Sequence, residues 1–184
     1  MKKRAASDPR KRKGLIIVHT GEGKGKSTAA FGLALRAAGN KMNVFILQFM
    51  KGQWKAGERK MFSQLEPLIE YTAMGDGFTW DTNNPEQDRQ TARNAWETVK
   101  PKILSGDYSV VILDEINYVL SYRFLDEDLV LDTLRNKPES VHVICTGRNA
   151  PQALIELADL VTEMKCVKHP FKEQRIPAQK GIEF

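Results

Sequence analysis

Residues 19–28 read HTGEGKGKST, and their types and spacing suit the holding of phosphate groups. Gly21, Gly23 and Gly25 let backbone amides turn toward an anion, and the helix expected to follow adds positive potential at its N-terminus. Lys26 can reach phosphate oxygens, Lys24 adds a second cation, and the Ser27 hydroxyl is placed to bind Mg²⁺. The spacing is that of a phosphate-binding loop, G-x-x-x-x-G-K-[ST], except that Thr20 takes the place of the leading glycine. Thr20 closes an apolar run and is expected to end a strand, where left-handed backbone is not required. The nucleotide contacts expected here are Thr20, Gly21, Glu22, Gly23, Lys24, Gly25, Lys26, Ser27 and Thr28.

A phosphate loop needs an acidic partner if a metal is to join it. SVVILDE (109–115) supplies one: a buried strand that ends in Asp114 and Glu115 resembles the acidic element that holds Mg²⁺, or Mn²⁺, directly or through water. The metal ligands expected are Ser27, Asp114 and Glu115. A third run, VHVICTGRN (141–149), ends in Arg148, read either as a bidentate partner for triphosphate oxygens or as a surface arginine in a turn. His142 lies inside this strand and is read as structural. His19 borders the loop without a base's role, and the function of His169 is left open.

Short apolar runs that alternate with helical stretches must position these groups, and they point to an α/β fold. Strands are expected at 14–20, 43–49, 68–72, 109–114, 141–146 and 159–164. Several are apolar at consecutive positions, as parallel strands covered on both faces are. The expected architecture is a P-loop NTPase (RecA-like) three-layer fold with a mostly parallel central sheet of about six strands. Helices are expected at 26–38, from Asn84-Pro85-Glu86 onward with Ala92, Trp96, Val99 and Ile103 on one face, and at 56–65, 127–136 and 150–158. Residues 73–84 and the stretch from Val167 to the end show neither period and are expected to be functional loops.

Composition narrows the partners. The net charge is +5, but residues 1–13 alone carry +6, so the remaining 171 residues sit near −1. The body is therefore not a basic nucleic-acid surface. Residues 1–13 are expected to be a flexible tail and 14–184 a single domain. No apolar run approaches the roughly 18 residues of a membrane span. Cys145 and Cys166 have no metal or redox spacing, so a reduced, cytoplasmic protein without a membrane segment is expected.

An ordered set of segments carries a closer resemblance. TGEGKGKSTAAFGLALRA, QFMKGQWKAGE, GFTW, VVILDEINY, TGRNAP, VKHPF and AQKGIEF follow one another over about 14–184. Together they resemble the P-loop type of ATP:cob(I)alamin (corrinoid) adenosyltransferase. GFTW and AQKGI are the least generic pieces. Two positions depart from the family's pattern: Glu22 stands where asparagine is common, and Ser27 where threonine is usual. The Glu22 side chain is expected to point away from the phosphates.

The resemblance implies attack by Co(I) of a reduced corrinoid on the 5′ carbon of ATP, with triphosphate as leaving group, in the making or salvage of adenosylcobalamin. Lys26, Glu115 and Arg148 would be the catalytic residues, with Lys24 and Mg²⁺ also countering charge on the phosphates and Glu115 serving the metal rather than a water. Phe78 and Trp80 of GFTW would form an apolar wall beneath the corrin, easing reduction of Co(II). Two apart on an extended backbone, they would point the same way. Packing of these aromatics onto the core is the other reading. Lys51 is read as a rim residue or a solvated one. The resemblance further implies a homodimer and an electron donor such as a flavodoxin or another reduced flavin. The basic tail is a solubilising arm, a flap over the site or a contact for an acidic reductase. Two rivals remain: a kinase or ATPase that cleaves at the γ-phosphate with Glu115 as base, and a RecA-like nucleic-acid module.

Overall fold

Residues 44–47 and 110–113 are each apolar and buried throughout, as strands with a helical layer on both sides must be. The computed structural model describes residues 13–49, 57–74 and 84–183. Its strands are β1 (Ile16–Thr20), β2 (Val44–Gln48), β3 (Ile69–Ala73), β4 (Val110–Asp114), β5 (His142–Thr146) and β6 (Leu160–Glu163). Its helices are α1 (Lys26–Gly39), α2 (Gly57–Phe62), α3 (Pro85–Ser105), α4 (Ile116–Ser121), α5 (Glu127–Arg135), α6 (Gln152–Leu157) and α7 (Pro170–Gln174). A 3₁₀ turn, Ser63–Leu65, extends α2. All six expected strands form, within two residues of their expected bounds.

The strand order is β3-β2-β4-β5-β1-β6, and every pairing is parallel, so the sheet is wholly rather than mostly so. Burial follows position in that order. The four inner strands are almost entirely covered, whereas the edge strands β3 and β6 are partly or fully exposed. Register brings Gln48 beside Asp114 and His19 beside Thr146, all at the carboxyl ends of their strands. In an open parallel sheet that end is where ligands bind.

Strand alternation divides the core in two. Val44, Ile46, Ile112 and Ile144 pack under α1 and α2 with Ala30, Phe31, Ala34 and Phe62. Phe45, Leu47, Val111 and Val143 face the other way, onto α3, α4 and α5. The alanines of α1 allow its backbone to approach the sheet closely. Helix α3 begins where Asn84 accepts a hydrogen bond from the Gln87 amide at 3.2 Å, with Pro85 at the first helical position. Its expected face (Ala92, Trp96, Val99, Ile103) is at most 2% exposed. Trp96→Ala is expected to lower unfolding stability by about 3–5 kcal/mol, read as a drop in the urea midpoint.

Two helices run against expectation. Helix α4 is buried on five of its six residues, so it lacks the polar face that makes periodicity visible. Helix α7 falls in the C-terminal stretch expected to lack periodic structure. It is a single short turn, set by Pro170 at its start and by His169 Nδ1, which accepts from the Phe171 amide at 3.2 Å. No helix among the described residues is long and apolar enough to cross a membrane.

Candidate active site

The loop that leaves β1 is shaped by a strap of backbone behind it. The Gly23 amide donates to the Met164 carbonyl at 2.6 Å, and the Met164 amide donates to the Thr20 carbonyl at 2.8 Å. A Cβ on Gly21 would lie 2.6 Å from the Met164 carbonyl oxygen, and one on Gly23 would lie 2.7 Å from those of Met164 and Lys165. Gly21 and Gly25 also hold left-handed backbone, at φ 93° and 104°. Thr20, by contrast, is the last residue of β1. Its hydroxyl oxygen accepts from the Ala150 amide at 3.2 Å, tying the loop's root to the end of β5. The leading position of the motif thus needs no glycine here.

Lys26 opens α1, and its Nζ turns back to donate to the carbonyls of Gly21 (2.7 Å) and Gly23 (2.6 Å). Only 8% of the residue is exposed, and burial lowers its pKa against the opposing pull of Glu115 and Glu22. A cavity of about 400 Å³ opens over the loop. Lys24, Lys26, Ser27 and Thr28 line it from the loop and first turn, and Glu115, Tyr118 and Arg148 line it from β4, α4 and β5. Residues from three strand ends far apart in the chain therefore meet at one concavity.

The acidic pair divides into two roles. Asp114 is fully buried: Oδ1 accepts from the Thr146 hydroxyl at 2.7 Å, and Oδ2 accepts from Gln48 Nε2 at 2.5 Å. The Tyr71 hydroxyl donates to Gln48 Oε1 at 2.6 Å. Burial, followed by the Asp114 charge, pushes the Tyr71 pKa up to about 12. At the far end, the Thr146 hydroxyl oxygen accepts from the Glu115 amide at 3.0 Å. Asp114 is thus the centre of a network from β3 to β5 that fixes the backbone of Glu115. Glu115 itself sits in left-handed conformation at φ 66° and faces the cavity.

Asn117, which the sequence reading passed over, locks the floor. Its Nδ2 donates to the carbonyls of His19 (3.2 Å) and Gly147 (3.0 Å) from a fully buried position. Gly147 has φ 127°, and a Cβ there would come within 3.2 Å of Glu115 Oε2, Asn117 and Tyr118. Gln48, Tyr71, Thr146 and Asn117 escaped notice because their roles depend on strand neighbours rather than on a local pattern. The quoted segments QFMKG, TGRNAP and DEINY do contain three of the four.

Glu22 corrects an expectation. Its carboxylate does not point away from the cavity over the loop; it lines that cavity and pairs with Arg148, Oε2 to Nε, at 3.5 Å. An exposed carboxylate beside an unshielded guanidinium turns toward it. A second pair joins Lys24 to Glu183, which fastens the C-terminal segment to the loop and brings Ile182 to the cavity rim. His142 is structural, its Nδ1 accepting from the Leu15 amide at 3.1 Å. His19 is buried, with neither ring nitrogen hydrogen-bonded, and burial lowers its pKa. His169, left open by sequence, caps α7. Phe78, Trp80 and Lys51 lie outside the described residues, as do residues 1–12 of the tail; Lys13 pairs with Asp159.

Among the described residues no three His, Cys, Asp or Glu side chains converge as a metal cage. Of the three metal ligands expected, Ser27 and Glu115 line one cavity with hard oxygen donors, whereas Asp114 is fully buried, accepts from Gln48 and Thr146, and does not line it. A few protein oxygens completed by phosphate and water are what Mg²⁺ takes beside a nucleotide, so the donor set fits that ion.

A parallel sheet, a glycine loop running from its β1 into α1, and a lysine and serine at the helix start define a P-loop nucleotide-binding protein. The solved flagellar accessory protein FlaH from Methanocaldococcus jannaschii shares this fold, with a TM-score of 0.51 at 16% identity over 82% of this chain and 70% of that one. Residues 12–184 match the family model described as ATP:corrinoid adenosyltransferase BtuR/CobO/CobP, and the chain belongs to that family. The corrinoid adenosyltransferase of Pseudomonas aeruginosa is 43% identical over 175 residues, covering 95% of this chain and 86% of the relative. That of Sinorhizobium sp. is 46% identical over 174 residues, covering 94% and 81%.

Proposed function

We propose that this enzyme transfers the 5′-deoxyadenosyl group of ATP to Co(I) of a reduced corrinoid, cobalamin or a precursor, and releases triphosphate. The observation that carries the reading is the convergence of Lys26, Arg148 and Glu115 on one cavity in a chain of this family. Co(I) supplies the electron pair of the new carbon–cobalt bond and becomes Co(III). The C5′–O bond breaks, and its electron pair stays on the triphosphate oxygen. No proton is moved and no water is activated, so a general base has no part.

The chain's own groups hold and neutralise the leaving group. The loop amides and the α1 N-terminus receive the phosphates, and Lys26 and Arg148 face the charge that grows as the bond breaks. Ser27 and Glu115 would hold Mg²⁺, or Mn²⁺, with Asp114 setting the Glu115 backbone from behind; the ion would further neutralise the phosphates. The remaining task is placement of cobalt in line with the C5′–O bond. Phe78 and Trp80 are assigned to the wall beneath the corrin, on the family resemblance of GFTW. We further assign the enzyme to the cytoplasm as a homodimer, with a flavodoxin or another reduced flavin as electron donor and no nucleic-acid partner.

Changing Phe78 and Trp80 together to alanine is expected to cut adenosylation at least tenfold when Co(II) corrinoid is supplied with a flavin reductant. Activity on chemically prereduced Co(I) should fall far less; equal losses in both assays would remove the aromatic wall from the account. The reading as a whole is tested by anaerobic incubation with Mg-ATP and cob(I)alamin. Triphosphate together with a light-sensitive alkylcobalamin spectrum is expected. ADP with unchanged Co(I) would favour γ-phosphate cleavage with Glu115 as base.

A further inference from the structure

The cavity over the phosphate loop contains an acid where an anion is to bind. Glu22 Oε2 lies 3.5 Å from Arg148 Nε, and both residues line the cavity. Both side chains are more than half exposed, at 63% and 55%, so neither is held in place by packing. The second loop cation, Lys24, is paired with Glu183. Of the three cations that line the cavity among the described residues, Lys26 alone is held by neutral carbonyls.

We propose that Glu22 is a built-in competitor for Arg148 that weakens the site's hold on triphosphate more than its hold on ATP. The inference rests on the adenosyl-transfer reading, since that reaction defines the product. When the C5′–O bond breaks, the leaving oxygen keeps the electron pair, so triphosphate as first formed carries one more negative charge than the same group carries within ATP. Repulsion from a carboxylate at the cavity wall scales with the ligand's charge, so Glu22 penalises the product more than the substrate. As the product leaves, Arg148 regains a partner, which lowers the free energy of the emptied site. The second effect is the same whichever ligand leaves, so the repulsion alone discriminates, by charge and without any contact to the adenosine.

The test compares wild type with Glu22→Gln, titrating the Mg²⁺ complexes of ATP and of inorganic tripolyphosphate by calorimetry, at one alkaline pH where both ligands are fully ionised and in the absence of corrinoid. Tripolyphosphate is expected to bind about fivefold more tightly to the variant and ATP about twofold, the scale of a partly screened ion pair. The gap should narrow as salt is raised, which a change in loop packing would not produce. Glu22→Asp, which keeps the charge, should return the wild-type ratio. Equal tightening of both ligands, no change, or weaker binding of either would overturn the proposal. Product analysis on wild type, run in parallel, reports separately on the adenosyl-transfer reading, because the binding titrations need neither corrinoid nor turnover.

Discussion

Lys26→Ala is expected to lower kcat/KM for ATP by about a hundred- to a thousandfold, the usual cost of removing a fixed charge from a developing anion. Two losses combine in it. The ammonium is the loop's buried cation, and its bonds to the Gly21 and Gly23 carbonyls hold the loop closed upon itself. Steady-state kinetics with prereduced corrinoid would separate them: a lost transition-state contact lowers kcat, whereas a slackened loop also raises KM. Lys26→Arg is expected to rescue little. A planar guanidinium does not fit between two carbonyls that hold a compact ammonium at 2.6–2.7 Å. Activity within threefold of wild type in the alanine variant would remove Lys26 from the chemistry.

The second large effect lies behind the site. Asp114→Ala leaves Gln48 Nε2 and the Thr146 hydroxyl without their buried acceptor. A loss of about 2–4 kcal/mol in unfolding stability is expected, measured by urea titration. Because Thr146 holds the Glu115 amide, activity should fall with it even at temperatures where the variant stays folded. Tyr71 supplies an independent readout. Its pKa is pushed up to about 12 by burial and then by the Asp114 charge, so removing that charge should move the phenol's titration downward. A variant with an unchanged Tyr71 titration and wild-type stability would show that the network is not held from Asp114.

These two residues also mark how far the sequence could be read. The place of Lys26 at the head of α1 was legible because it is set locally: strand, glycine loop, lysine and helix follow one another within about twenty residues. The strands were legible for a related reason, since a strand covered on both faces is apolar at consecutive positions whatever its neighbours are. Asp114 was legible as an acidic strand end but not as the centre of a network. Its partners, Gln48 and Thr146, are neighbours only through strand register. Glu22 and Arg148 lie 126 positions apart, and so long as their pairing was unseen the carboxylate had no reason to face the cavity. Helix α4 was missed because a short helix buried nearly all round has no polar face to reveal its period.

The C-terminal segment shows the same limit from another side. Its two prolines and lack of period were visible, and so was the expectation of a functional loop. That Met164 and Lys165, which lie before this segment just past β6, form the backbone wall requiring glycine at 21 and 23 was not, because no local pattern records which strand lies beside β1. Backbone wall and glycine are one constraint, stated at two places in the chain.

The central claim is that the loop holds a leaving group, and the bond that breaks can be followed directly. ATP carrying ¹⁸O at the oxygen between C5′ and the α-phosphorus would be turned over with prereduced corrinoid, and the products examined by mass spectrometry. The account predicts that the label is found in triphosphate and not in the adenosylated corrinoid, because carbon is attacked and its bond to oxygen breaks. Label retained on the nucleoside, in ADP or AMP, would mean that phosphorus is attacked and would contradict it.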